Sequence, residues 1–265
     1  MTPVVFFLLL LPVMLIPSVS LSLSTLYGPR LETWHKKAHH TVFVTICHTV
    51  KSHLLKHGDI KPVSNRNAVP CTATGCKWPK TGSYVIVPVA ISSDFDPQQL
   101  DTIVRALVGF HQSTCIRFVW LTNQANFLYF FSGTGCWSFL GRQSGGQAIS
   151  LQKDGCVYFS SVQHEVLHAL GFHHEHVRSD RDSYVNVNMQ NVQPGMESNF
   201  EKVQTNNLGT AYDFNSVMQY SNSAFSKNNQ PTITAKSNPN LVLGGAAQMS
   251  PNDVARFNRL YQCCK

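Results

Sequence analysis

One eleven-residue segment constrains this chain more than any other part of its sequence. Residues 164–174 read HEVLHALGFHH and contain the pattern H-E-x-x-H-x-x-G-x-x-H. Residues four apart lie on the same face of a helix, so the imidazoles of His164 and His168 can bind one metal ion. Gly171 permits the sharp turn that brings His174 back to that ion, which a continued helix would not. The pattern predicts a helix, a glycine turn and a site for one Zn²⁺ per chain.

The glutamate inside this pattern indicates a catalytic rather than a structural metal site. Three neutral imidazoles leave one position of a tetrahedral Zn²⁺ open to water. Glu165 can hydrogen-bond that water, which is where hydrolysis of a peptide bond needs a general base. A helix with incidental surface histidines is the alternative, and a chance match is expected in roughly one chain in ten thousand of this length. His173 and His176 match no position of the pattern, so we expect them beside the metal or in solvent.

A second short segment is informative only in combination with the histidine pattern. Residues 216–220 read SVMQY and follow the histidine pattern in the chain. Methionine and tyrosine in such a run are usually core residues. However, the histidine pattern followed by a methionine-containing turn defines the metzincin zinc peptidases. Met218 is therefore predicted to form a hydrophobic turn beneath the metal.

The first 66 residues differ in character from the rest. Residues 1–23 are an apolar, proline-broken run that ends in small residues, which favours a secretory signal peptide; an uncleaved apolar anchor is the alternative. Residues 24–66 are rich in Lys, His and Ser and end at a basic residue, Arg66. We predict a propeptide that a trypsin-like protease removes by cutting after Arg66, with an ordinary exposed arginine as the alternative. Residues 67–265 then suit one catalytic domain.

Cysteine content and charge limit the compartment and the partners. The eight cysteines fit an oxidising, extracellular environment, and an odd number of them follows Arg66. The net charge is +7, but residues 1–66 hold seven basic residues against two acidic ones, and the remainder holds fourteen against twelve. Because the basic excess lies mostly in the leader, binding to nucleic acid is not expected. Stable membrane association is not expected either, since no later stretch could span a bilayer.

Hydrophobic periodicity predicts an α/β first half and an irregular second half. Strands are predicted at four places: 83–92, 116–122, 127–131 and 147–151. Helices are predicted at two further places: about 97–111 and about 251–261. Beyond Asp182 the sequence is rich in Asn, Ser, Gln and Pro with weak periodicity, so we expect a second lobe with little regular structure.

The chain from His164 to Asp182, HEVLHALGFHHEHVRSDRD, resembles the astacin family pattern H-E-x-x-H-x-x-G-F-x-H-E-x-x-R-x-D-R-D. The resemblance extends over nearly all of residues 67–265, including GGQAISL and SVMQY, and is closest to the hatching-enzyme branch. It implies a two-lobed α/β (α+β) metzincin domain, in which a twisted mixed sheet and the active-site helix form the N-terminal lobe. It also implies that the three histidines of the pattern bind zinc and that Glu165 is the catalytic base.

The resemblance assigns roles to residues outside the main motif. Tyr220 would be a labile fifth ligand whose hydroxyl stabilises the oxyanion, and a packed core tyrosine is the alternative. Glu175 would form a buried ion pair with the ammonium group freed at Asn67. Asp59, in the pair Gly58-Asp59, would occupy the open zinc position of the precursor, and an exposed aspartate in a turn is the alternative.

The disulfide pairing is likewise implied by the resemblance alone. It joins Cys115 to Cys263, Cys136 to Cys156, and Cys71 to Cys76. Spacing selects none of these pairs, and the adjacent Cys263 and Cys264 leave the C-terminal partner open. Cys47 and Cys264 have no assigned partner.

The implied function is a secreted zinc endopeptidase, made as an inactive precursor, that hydrolyses extracellular proteins such as those of an egg envelope. The alternatives are a secreted protease with a digestive, defence or tissue role, and a zinc-containing binding protein that has lost catalysis. Glu165 and all three histidines are present, which argues against the last. Gln219 stands where many family members have His, and His173 replaces a commoner aromatic residue; neither change removes a catalytic group.

Overall fold

The computed structural model of the chain describes residues 55–62 and 76–263. The predicted signal peptide, most of the predicted propeptide, Arg66 and Cys71 lie outside these residues, so the domain boundaries stay predictions. Within the described ranges, no helix has both the length and the apolar character that a membrane crossing requires.

A seven-stranded mixed sheet organises the first half of the chain. Its strands are β1 (Ile60–Lys61), β2 (Lys80–Thr81), β3 (Tyr84–Ile91), β4 (Ile116–Trp120), β5 (Phe127–Phe131), β6 (Cys136–Phe139) and β7 (Gly146–Leu151). β3 pairs in parallel with β4 and β5 and antiparallel with β2, and β7 pairs in parallel with β5. β6 runs antiparallel to β7, and β1 pairs in parallel with β6. A strand from the predicted propeptide therefore joins the sheet beside β6.

Two helices pack with this sheet because their apolar residues recur at helical spacing. α1 (Pro97–Ser113) begins at a capping box in which Asp96 accepts hydrogen bonds from two helix amides and Gln99 bonds back to the Asp96 amide. Its buried positions include Ile103, Leu107 and Phe110. α2 (Phe159–Ala169) contacts α1, β6 and β7, and it buries much of its surface in the same core. The histidine pattern thus begins on a helix fixed by packing.

The second half has little regular structure. Four short 3-10 helices occur: Glu175–Val177, Arg181–Ser183, Met189–Asn191 and Glu197–Phe200. β8 (Val185–Val187) and β9 (Ile233–Ala235) form a small antiparallel sheet over a second apolar cluster. α3 (Pro251–Leu260) then returns to the main core, where Phe257 and Leu260 are buried. This arrangement matches the predicted irregular second lobe closed by a helix.

Two disulfides join distant parts of the chain. Cys115 just before β4 is bonded to Cys263 just beyond α3, and Cys136 of β6 is bonded to Cys156 before α2. These are the two pairs that the family resemblance implies for described residues. Cys76 is also disulfide-bonded. The prediction that Cys71 is its partner falls outside the described residues.

Candidate metal centre

The end of α2 places the histidine pattern. The Phe172 amide donates to the Leu167 carbonyl and the Gly171 amide donates to the His168 carbonyl, which is the hydrogen-bond pair of a Schellman helix end. Gly171 has a φ of 103°, a left-handed value that strains residues with a Cβ. The helix therefore stops where the sequence predicts, and the chain can turn back toward its own histidines.

This turn brings the three predicted ligands together. The Nε2 atom of His164 lies 3.1 Å from that of His168 and 3.2 Å from that of His174, and the third separation is 3.3 Å. His168 and His174 are fully buried or nearly so. Three imidazole nitrogens therefore converge on one point.

The opposite ring nitrogens decide which form the imidazoles take. His164 Nδ1 lies 2.8 Å from the Val217 carbonyl oxygen, and His168 Nδ1 lies 2.7 Å from that of Phe172. Because a carbonyl can only accept, each Nδ1 donates and each neutral ring keeps its lone pair on Nε2. Burial lowers the pKa of His168 and His174, against the attraction of the Asp59 carboxylate, which favours the neutral form that binds metals. At His164 burial is outweighed by the hydrogen bond and the attraction to Asp59, which raise the pKa. Lone pairs that face one another at such distances repel, and a cation bound between them would remove that repulsion.

A carboxylate from the predicted propeptide completes the cluster. Asp59 Oδ2 lies 3.1 Å from the Nε2 of His164 and 3.0 Å from that of His174, while Oδ1 lies 3.4 Å from the Nε2 of His168. A tetrahedral zinc with bonds of about 2.0–2.1 Å has donor atoms about 3.3–3.4 Å apart. The four residues also form a group that could hold a metal ion. The donors therefore fit Zn²⁺ in both type and spacing.

Glu165 lies beside this cluster without joining it. Its side chain is buried, with 2% of the residue exposed, and Oε2 has no hydrogen-bond partner among the described residues. Burial raises its pKa well above the ordinary value, and the Asp59 carboxylate adds to this effect. A buried carboxyl group with an unused oxygen can accept a proton and hold it.

Asp59 reaches the site from a tight turn. Lys56 and Ile60 exchange backbone hydrogen bonds of 2.8 and 2.9 Å, which closes the turn. His57 and Gly58 have φ values of 50° and 83°. A methyl group added at Gly58 would lie only 2.7 Å from the Tyr220 hydroxyl oxygen. The turn therefore fits against the site only with glycine at this position.

Tyr220 forms one wall of the site. Its ring stacks on His176 with centroids 3.9 Å apart and packs against His174 at 4.4 Å. Its hydroxyl donates a short hydrogen bond to the His57 carbonyl oxygen. In this form of the protein the phenol is therefore bound to the predicted propeptide.

His173 and His176 lie near the metal cluster but not among its donors. His176 is fully buried, and its Nε2 lies 3.0 Å from the Asn199 carbonyl oxygen. Burial lowers the pKa of both side chains to about 3. His176 therefore supports Tyr220 rather than the metal, consistent with the expectation that neither histidine is a ligand.

The predicted methionine turn is hydrogen-bonded to the segments that carry the histidines. Met218 is buried, and its amide donates a hydrogen bond of 3.0 Å to the Ser216 hydroxyl oxygen. The Met218 carbonyl accepts a hydrogen bond from the Glu175 amide at 2.9 Å, which links the turn to the segment after His174. Gln219, which departs from the common family residue, accepts a hydrogen bond from the Tyr212 hydroxyl at 2.6 Å. The glutamine is thus accommodated as a buried polar side chain.

Glu175 has partners that the sequence alone does not reveal. Its buried carboxylate pairs with both terminal nitrogens of Arg256, with Arg178 at 3.2 Å and with the Asp213 amide at 2.7 Å. Arg178 also belongs to the motif segment, but Arg256 lies on α3, far along the chain. The predicted partner, the ammonium group of Asn67, lies outside the described residues.

Comparisons with known proteins agree with this geometry. The model of the astacin peptidase family matches residues 73–262. High choriolytic enzyme 1 of Oryzias latipes is 45% identical over 212 residues, which cover 79% of this chain and 78% of that protein. Low choriolytic enzyme of the same fish is 40% identical over the same shares of both chains.

A solved structure resembles the fold as well. The structure of high choriolytic enzyme 1, described as a hatching enzyme zinc-protease from Oryzias latipes, aligns with a TM-score of 0.71 and 44% sequence identity. The alignment covers 75% of this chain and 100% of that one. The residues matched by the family model, 73–262, span β2 to β9 and all three helices.

Proposed function

The chain belongs to the astacin family of zinc metalloendopeptidases, and from that premise we propose that it is a secreted enzyme, made as a latent precursor, that cleaves extracellular proteins. His164, His168 and His174 are its zinc ligands and Glu165 is its catalytic base. The convergence of three Nε2 atoms within 3.1–3.3 Å of one another carries this assignment.

The reaction divides between the metal and three kinds of side chain. When held by the three histidines, zinc would lower the pKa of a bound water molecule and polarise the peptide carbonyl. Glu165 would take a proton from this water at Oε2 as the water oxygen bonds to the peptide carbonyl carbon. It would then pass the proton to the amine nitrogen as the carbon–nitrogen bond breaks. Tyr220 donates a hydrogen bond to the oxyanion once its hydroxyl is released from the His57 carbonyl. Met218 keeps the floor of the site apolar.

Three contacts of the precursor support latency. Asp59 supplies a carboxylate to the histidine cluster, where the catalytic water would otherwise bind. Tyr220 is held by the backbone of the same turn. β1 occupies the side of β6 that a substrate strand could use. Each contact blocks a different requirement of catalysis, so removal of residues 24–66 would release all three.

Activation is assigned to a trypsin-like protease that cuts after Arg66. The new ammonium group at Asn67 would then join the buried network around Glu175, whose carboxylate already pairs with Arg256 and Arg178. The Glu175 amide donates a hydrogen bond to the Met218 carbonyl. An ammonium group paired with the Glu175 side chain would therefore link cleavage of the propeptide to the position of the methionine turn.

The substrate class comes from the relatives. The names of the medaka proteins describe choriolytic activity, and this chain is 40–45% identical to them. Egg-envelope protein is therefore the proposed substrate, and storage of the secreted protein in a latent form belongs to the same proposal.

One experiment tests the function directly. The full-length protein is treated with trypsin and incubated with isolated fish egg envelope and, separately, with casein, beside the Glu165→Gln variant and a sample stripped with 1,10-phenanthroline. Cleavage by the wild type alone is expected. Casein cleavage without envelope cleavage would reject the proposed substrate, and a wild type that contains no stoichiometric zinc would reject the ligand assignment.

A further inference from the structure

A buried carboxylate on the last helix lies outside every motif of the zinc site. Asp253 occupies the third position of α3 and has 3% of its surface exposed. Its Oδ1 accepts a hydrogen bond from the Ser216 hydroxyl at 2.6 Å. Its Oδ2 accepts from the amides of Val217 at 2.9 Å and Ser250 at 3.0 Å. Two of these three bonds are made to the methionine turn.

The same turn contacts a predicted zinc ligand. The Val217 amide donates to Asp253, and the Val217 carbonyl oxygen accepts the hydrogen bond from His164 Nδ1 at 2.8 Å. The backbone of this one residue therefore connects α3 to α2. Ser216 adds a second connection, since its hydroxyl both donates to Asp253 and accepts from the Met218 amide at 3.0 Å.

We propose that Asp253 is a positioning residue for the zinc site: by fixing the Ser216–Val217 backbone it holds the Val217 carbonyl against His164 and so keeps the His164 Nε2 lone pair directed at the metal. This inference rests on the proposed role of His164 as a ligand. Groups that orient a metal-bound histidine through its second nitrogen commonly affect metal affinity by about 10–100-fold. Asp253 acts one hydrogen bond further out, so its effect is expected near the lower limit.

Helix capping alone does not account for this carboxylate. Ser250 already caps α3, because its hydroxyl accepts from the amides of Asn252 and Asp253. The bond from the Ser250 amide to Asp253 completes the capping box. The bonds to Ser216 and Val217 lie outside the helix and make no contribution to its cap. A residue that served the helix alone would leave them unmade.

The test compares two variants that both weaken the start of α3. Asp253→Asn removes the charge that holds the turn, whereas Ser250→Ala removes the helix cap and leaves the Asp253 contacts with Ser216 and Val217 in place. Zinc is stripped from the full-length proteins and added back against a chromophoric chelator of known affinity. Asp253→Asn is expected to raise the zinc Kd about tenfold over Ser250→Ala. Thermal unfolding of the zinc-free proteins should be similar for the two variants.

The outcomes separate this inference from the proposed function. A zinc Kd for Asp253→Asn within twofold of that for Ser250→Ala overturns the positioning role. If Asp253→Asn does not fold, Ser216→Ala decides, because it removes only the hydroxyl that links Asp253 to the turn. A Kd above that of Ser250→Ala supports the role, and an equal Kd overturns it. A wild type that binds no zinc would reject the ligand assignment itself.

Discussion

α2 and the turn at residues 56–60 both contribute to the candidate metal site and are held there in different ways. α2 supplies His164 and His168 from a helix whose other residues, among them Val166 and Leu167, are buried in the main core. The turn supplies Asp59 from a segment that joins the sheet through only two residues of β1. Its backbone is left-handed at two successive positions. Under the proposed activation, the ligands that stay are carried by packed regular structure, and the one that leaves is carried by a few separable contacts.

The largest effect is expected on the helical side. Glu165→Gln keeps the size of the side chain but removes its ability to take a proton, so turnover should fall by about 10²–10⁴-fold. The zinc content should not change, since Glu165 lies outside the donor cluster. Peptide hydrolysis and metal analysis of the trypsin-treated protein measure the two quantities. Full turnover in this variant would remove Glu165 from the chemistry.

On the side of the turn, Asp59→Ala should make the uncut precursor active. The chain is prepared with Arg66→Gln so that the predicted processing site is blocked. Loss of a charge-assisted contact worth about 1.5–3 kcal/mol raises the population of precursor with an open site by roughly 10–100-fold. Hydrolysis of a small peptide should rise by the same factor. Asp94→Ala, which removes a carboxylate from an exposed loop, is the control. If the Asp59→Ala precursor is as inactive as the Arg66→Gln chain, Asp59 is not the residue that blocks the metal site.

A smaller increase in precursor activity is expected from Gly58→Ala, made in the same Arg66→Gln chain. The added methyl group meets Tyr220 and Phe225 at 2.7 and 2.8 Å, and φ is 83°. Gly82→Ala is a matched control, because Gly82 also has a positive φ but nothing lies within 4 Å of its added methyl group. Backbone strain of about 1 kcal/mol is common to both, so activity that appears only in Gly58→Ala measures the steric contact with the site. Equal behaviour of the two would assign the effect to strain.

The smallest effect is expected at Lys61 of β1. Its ammonium group lies 4.5 Å from the Trp137 ring centroid and 5.3 Å from that of Phe139. Lys61→Met keeps the length of the side chain and removes the charge. A cation–π contact of about 0.5–1 kcal/mol predicts a two- to fivefold increase in precursor activity, measured as for Asp59→Ala. Suppression of this difference by high salt would indicate a diffuse charge effect instead.

The sequence predicts much of the first half because its signals are local. The strand predicted at 83–92 is confirmed as Tyr84–Ile91, and the helix predicted at about 97–111 is confirmed as Pro97–Ser113. β6 escapes prediction since CWSF is too short to show an alternating pattern and its pairing with β7 is a tertiary property. β8 and β9 escape it for the same reason, because each has three residues and their pairing spans an irregular region.

The candidate site shows the same difference between residues with a local sequence signal and residues without one. The spacing of His164, His168 and His174 predicts their convergence because a helix and one glycine turn determine it. Arg256 and Asp253 carry no such signal, since each meets its partner only after α3 has packed against the rest of the protein. In the sequence these two charged residues follow a polar region and look like surface residues. Only the folded structure shows that they are buried and paired.

The bond between Cys115 and Cys263 has a consequence for the last helix. It closes a covalent loop between residues 148 apart in sequence. A closed loop of that size lowers the entropy of the unfolded chain, an effect worth about 4–5 kcal/mol in the loop-entropy model. The end of α3 thus cannot drift away from β4 even when its hydrogen bonds open. Local opening at the C-terminus is therefore followed by return of the same residues to the same place.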